Sequence, residues 1–139
     1  MIKSSKSIYY WFFLFALCFV AYQQVQDNIR PNYEGESVTI KYLLGVAPNF
    51  FPSIGIPALF FILIPVVNNQ KSANKWFNEE KHITGNLISL IGLLAWEFLQ
   101  TLTLRGHFDW HDVLWTIIGA MIFQLIWIIT PNSYKVVST

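Results

Sequence analysis

Cysteine is nearly missing from this chain: Cys18 is the only one, so no internal disulfide can form. Its place in an apolar run suits a small buried or lipid-facing hydrophobe rather than a reactive thiol. Charge is scarce as well. Charged residues make up 12% of the 139 positions against 54% hydrophobic, which fits one domain and is too apolar for an ordinary soluble one. The formal net charge of +1 excludes a strongly basic nucleic-acid binder and leaves no acidic tail. There is no Gly-rich phosphate loop, no internal repeat and no low-complexity tract. No Ser or Thr stands in a nucleophile motif. What the chain has instead is long hydrophobic runs, and these predict an all-α membrane protein with about four transmembrane helices.

The first run begins at Ile8, after Lys3 and Lys6, and predicts a span over about residues 8–25. Its bulky aromatics, and the lack of a small-x-small pattern around Gln23, Gln24, Val25 and Gln26, favour an uncleaved anchor over a signal peptide. Phe15, Ala16 and Leu17 leave no small residue before Cys18, which argues against a lipoprotein site. The polar stretch Asp27 to Lys41, broken by Pro31, reads as an aqueous loop. Residues 43–67 are apolar but carry Gly45, Pro48, Pro52, Gly55 and Pro57. Each proline lacks an amide donor and restricts its predecessor, so an irregular segment over Leu43 to Ser53, re-entrant or interfacial, is expected before a second helix at about 54–67. A third span is expected over 83–104. The fourth is expected over 113–130, N-capped by Asp112 and ended by Pro131 and Asn132.

With both termini inside, Lys3, Lys6, Lys71, Lys75, Lys81 and Lys135 lie on the cytoplasmic side, and Arg30, Lys41 and Arg105 lie outside. That asymmetry supports both termini in the cytoplasm. Tyr9, Tyr10, Trp11, Tyr22, Trp110 and Tyr134 suit an aromatic belt at span ends.

Glu97 lies well inside the third run, where an ionisable group marks either a function or a buried pairing. At 100° per residue, Leu93, Glu97, Gln100, Thr101 and Leu104 share one face, so a polar stripe climbs toward the outer surface. Arg105 is roughly 12 Å above Glu97 by helical rise, which makes Gln100 the nearer partner. Gly85, Ser89 and Gly92 form a small-residue strip suited to helix packing. Gly119 is expected to let the fourth helix approach the third. The turn from Arg105 holds His107, Asp109, His111 and Asp112, but no His pair at i, i+4 and no Cys framework accompanies them, and no metal or other cofactor is expected.

Glu97 with Gln100 three later, Arg105 after the helix, and Asp109-Trp110-His111-Asp112-Val113 leading to Gly119 resemble the pattern of the VanZ-like family, small bacterial membrane proteins with several transmembrane helices. Asn49-Phe50-Phe51-Pro52 resembles that family's Asn-to-Pro entry into an earlier span. The likeness covers roughly residues 45–128; the density of prolines and the lack of a second Gly after Ala120 depart from it. The resemblance implies envelope biology, since the family's founding member is associated with low-level resistance to teicoplanin, a lipoglycopeptide.

Together these readings predict a non-enzymatic envelope factor. Its outward-facing pocket is built from Glu97, Gln100, Arg105, Asp109, Asp112 and Asn49, with Arg105 engaging an anionic head group. Expected partners are membrane lipids and a lipid-linked envelope precursor or lipoglycopeptide; a homo-oligomer stays open and nucleic acid is not expected. A proton-linked transporter or intramembrane enzyme using Glu97, and an assembly subunit of a membrane complex, are the alternatives.

Overall fold

The computed structural model describes residues 2–67, 80–103 and 108–135. All of its regular structure is helical, and four helices are long and apolar enough to cross a membrane. Helix α1 spans Ile2–Gln23 and continues through a π-helical stretch, Gln24–Ile29, and one further turn, Arg30–Asn32. Helix α2 spans Val38–Val67, α3 Lys81–Gln100 and α4 Trp110–Ile129, and a 3₁₀ turn follows at Asn132–Tyr134. The chain is thus an all-α multi-pass membrane protein, and the stretch read as an aqueous loop, Asp27 to Lys41, is helical except over residues 33–37.

The irregular segment expected over Leu43 to Ser53 is absent. Helix α2 runs unbroken for 30 residues with Pro48, Pro52, Pro57 and Pro65 inside it. Each proline withholds a donor from the carbonyl four residues earlier, those of Leu44, Pro48, Ser53 and Phe61. Unwinding the segment in a hydrocarbon surround would orphan far more backbone groups than four, so the helix persists where a water-exposed one would break. The apolar residues between the prolines hold it in place: Val46, Ile54, Ala58, Phe61 and Ile62 are all buried.

Helix α2 is the centre of the bundle, the only described helix whose backbone lies against all three others. At the end shared by the termini, Trp11, Ala58, Phe61, Ile62 and Phe123 form the core. Trp11 is 0% exposed and packs its ring 5.2 Å from Phe61, 5.8 Å from Phe123 and 5.5 Å from Trp127. Its indole N–H donates to the Tyr134 carbonyl at 2.8 Å, the same oxygen that accepts from Ser7 Oγ. Trp11 is therefore a core anchor and not the belt residue expected from its position. Tyr9 and Trp110, each 73% exposed, remain suited to the interface.

The four small residues expected at helix contacts lie in different surroundings. A Cβ at Gly85 would meet Phe60 at 3.1 Å and the Pro57 carbonyl at 3.3 Å, so α3 rests on α2 there, and Ser89 is buried on the same helix. Gly92 faces open space. Gly119 does bring two helices close, but its neighbours are Ser53 Oγ and the Phe50 carbonyl of α2 rather than α3, because α2 and not α3 occupies the centre. The α4 cap also differs. The helix begins at Trp110, and Asp109 is the N-cap, its Oδ1 accepting from the His111 amide at 2.8 Å. Asp112 lies one turn inside.

Candidate functional site

All four helices contribute to one cavity of about 710 Å³ at the end of the bundle away from the termini. Tyr22, Gln26 and Arg30 come from the end of α1 and its extension, at intervals of four residues that keep them on one side. Gly45, Pro48, Asn49 and Pro52 come from the proline-bearing half of α2. Leu93, Trp96 and Gln100 come from α3, with Thr103 just beyond it. Asp109 and Asp112 come from the start of α4. The local sequence explains the opening: Gly45 has no side chain, and a Cβ built there would meet nothing within 4 Å.

The polar wall is wired together. Asn49 of α2, Asp112 of α4 and Arg30 at the end of the α1 extension line the same cavity. Thr116 Oγ1 donates to the Asp112 carbonyl at 2.8 Å. Beside the cavity, the Tyr42 hydroxyl accepts from Trp115 Nε1 at 2.9 Å and pairs with His111 Nδ1 at 3.2 Å, a clasp between α2 and α4. That contact occupies a His111 ring nitrogen, and among the described residues no group of three His, Cys, Asp or Glu side chains is placed to hold a metal ion.

Four of the expected site residues, Asn49, Gln100, Asp109 and Asp112, share this one cavity wall. Glu97 stands one layer behind it. Its side chain is 1% exposed and does not line the cavity; Gln100 Nε2, which does, donates to Glu97 Oε1 at 3.3 Å. Glu97 Oε2 is buried with no hydrogen-bond partner among the described residues. Arg105 and His107 lie outside the described residues.

Glu97 is also the end of a longer row. Asn86, Ser89, Glu97 and Gln100 fall within an arc of about 80° on α3 by helical periodicity. The first three are buried, each with one oxygen left without a partner. Asn86 Nδ2 donates to the Ala120 carbonyl at 3.1 Å and so ties the row to α4.

The cationic member that the sequence reading did not assign to the site is Arg30, together with Gln26 and Tyr22 on the same stripe. The signal was present as a polar continuation of the α1 face at four-residue spacing, hidden because Pro31 suggested that the helix had already ended. With an arginine, two carboxylates and three amides around one space, the wall can donate to and accept from a polar head that carries several oxygens or an amine. Comparison with protein-family models, with curated proteins and with solved structures gave no match for this chain.

Proposed function

We propose that this chain is a VanZ-like protein of the bacterial cell envelope that binds the polar head of an amphiphile without transforming it. The observation that carries this reading is the cavity formed by all four helices, with Asn49, Gln100, Asp109, Asp112 and Arg30 on its wall. Concave sites of this volume with a few convergent polar groups on a largely apolar frame are the usual form of small-molecule sites. By the distribution of Lys and Arg, the protein sits in the cytoplasmic membrane with both termini inside, so that the cavity faces outward. The head group, of a membrane lipid, a lipid-linked envelope precursor or a lipoglycopeptide, takes its anionic oxygens to Arg30 and its donors to Asp109 and Asp112. Arg105, close in sequence to the cavity-lining Thr103, is proposed as a second anionic-group ligand.

Single substitutions Arg30→Ala, Asn49→Ala and Asp112→Asn, scored for membrane abundance and for susceptibility to teicoplanin-type antibiotics, test this reading. Loss of the phenotype at unchanged abundance supports it, and full activity in all three sinks it. Disturbed abundance in every variant would instead favour the assembly-subunit reading.

A second reading is favoured by one observation, the row of buried and partly unpartnered polar side chains Asn86, Ser89 and Glu97 on α3. Such a row suits a proton-linked transporter with Glu97 as the titrating group. In reconstituted vesicles, a Glu97→Gln protein that keeps the pH dependence of transport excludes it.

A further inference from the structure

Next to the polar cavity lies a groove of about 320 Å³ whose lining is entirely apolar. Phe15, Cys18 and Phe19 of α1 form one wall and Gly55 and Ile56 of α2 the other, while Tyr22 and Pro52 belong to the groove and to the polar cavity alike. The two spaces therefore meet at a shared pair of residues. The α1 wall is a ladder of rings: Phe15 and Phe19 stack with centroids 6.0 Å apart, and Phe19 lies 6.5 Å from Tyr22. From Phe15 to Tyr22 it runs about 10 Å along the helix axis, toward the end of the bundle that holds the polar cavity. The groove has a floor. A Cβ at Gly55 would come within 2.8 Å of the Cys18 Cβ, so the two helices touch there at the base of the groove.

We infer that this groove holds one hydrocarbon chain of the same amphiphile whose head occupies the polar cavity, so that the ligand is a lipid lying along the α1–α2 seam and not a water-soluble solute. The inference rests on the reading of the cavity as a head-group site. It follows from continuity: a head seated between Arg30 and Asp112 has its attached chain at Tyr22 and Pro52, and the apolar space nearest those two residues is this groove. A chain there exchanges the disordered acyl region for fixed aromatic walls, a contact that a free solute of the same head chemistry cannot make.

The test uses the full chain in nanodiscs with two photoreactive lipids, phosphatidylethanolamine and phosphatidylglycerol, each carrying a diazirine halfway along one acyl chain. Adducts are mapped by mass spectrometry. The expected result is several-fold enrichment at Phe15, Cys18, Phe19 and Ile56 over Phe13, Leu17 and Ile128, which are exposed on the outer faces of the bundle, for at least one of the two lipids. Adducts spread evenly over both sets for both lipids overturn the inference, because the groove then holds only bulk lipid. A separate arm titrates the soluble dihexanoyl forms of both lipids against the wild type and Asp112→Asn. A several-fold loss in the variant upholds the head-group reading even if the groove fails, whereas no binding to the wild type and even adducts together remove both. Ile56→Trp, which fills the groove, is expected to abolish the enrichment. Enrichment that survives in a monodisperse Ile56→Trp protein also overturns the inference.

Discussion

Gln100 donates to Glu97 across one turn of α3, at 3.3 Å, and so links a buried carboxyl to the wall of the cavity formed by all four helices. The link makes Gln100 the more revealing residue to change. In Gln100→Leu, Glu97 Oε1 loses its partner and neither carboxyl oxygen is then paired, since Oε2 has none among the described residues. The loss of stability is expected to be about 1–3 kcal/mol. Glu97→Gln keeps the volume and the pairing and is expected to cost less. Thermal unfolding in one detergent compares the two, and equal losses would show that the pair is not what holds Gln100.

Gly119 and Gly92 are expected to behave in opposite ways. Gly119→Ala drives a methyl group into Ser53 Oγ and the Phe50 carbonyl, overpacking that costs about 1–3 kcal/mol, and Ser53→Ala in the same chain is expected to recover part of it. Gly92→Ala meets no atom and is expected to be neutral or to gain up to about 1 kcal/mol from helix propensity. Unfolding midpoints of the three proteins decide the matter; equal loss at both glycines would contradict the packing described.

Asp109 and Asp112, three residues apart, have separable roles. Asp109→Ala removes the α4 cap and is expected to cost about 1 kcal/mol, with Asp109→Asn restoring most of it. Asp112→Asn leaves the cap intact and is expected to weaken ligand binding at little cost in stability. Stability and binding measured on the same preparations separate them, and a large stability loss in Asp112→Asn alone would return the capping role to that residue.

The tryptophans of the two ends are also unequal. Trp11→Ala empties the centre of the core and leaves the Tyr134 carbonyl without its indole donor, for an expected loss of about 3–5 kcal/mol. Trp110→Ala, at an exposed position, is expected to change stability by less than about 0.5 kcal/mol. Membrane expression levels and unfolding midpoints report both.

The existence of four spans, and the gathering of Asn49, Gln100, Asp109 and Asp112, were legible because hydrophobic runs and polar interruptions within them need no tertiary information. The course of α2 was not. Proline was weighed as it acts in water, whereas in hydrocarbon the alternative to a defective helix is a bare backbone. Trp11 was misread because a ring near a span end suits the interface and the core equally until the helix it packs against is known. Gly119 points to the same gap: a small residue announces a close approach but not the partner, and only the central position of α2 names Ser53 and Phe50. Arg30 was passed over because a helix was assumed to stop at the first polar residues.

The π-helical stretch Gln24–Ile29 gives α1 a phase as well as a length. Such stretches interrupt the ordinary i→i+4 bonding and shift everything beyond them around the axis. Arg30 owes its bearing to that offset. Wound as an ordinary α-helix, the eight steps from Tyr22 to Arg30 would set the arginine about 80° around the axis from Tyr22, and the wider π-helical winding takes up that difference. The end of α1 is thus keyed like a dial, and the charge on the cavity wall is set by the count of residues leading to it as much as by the arginine itself.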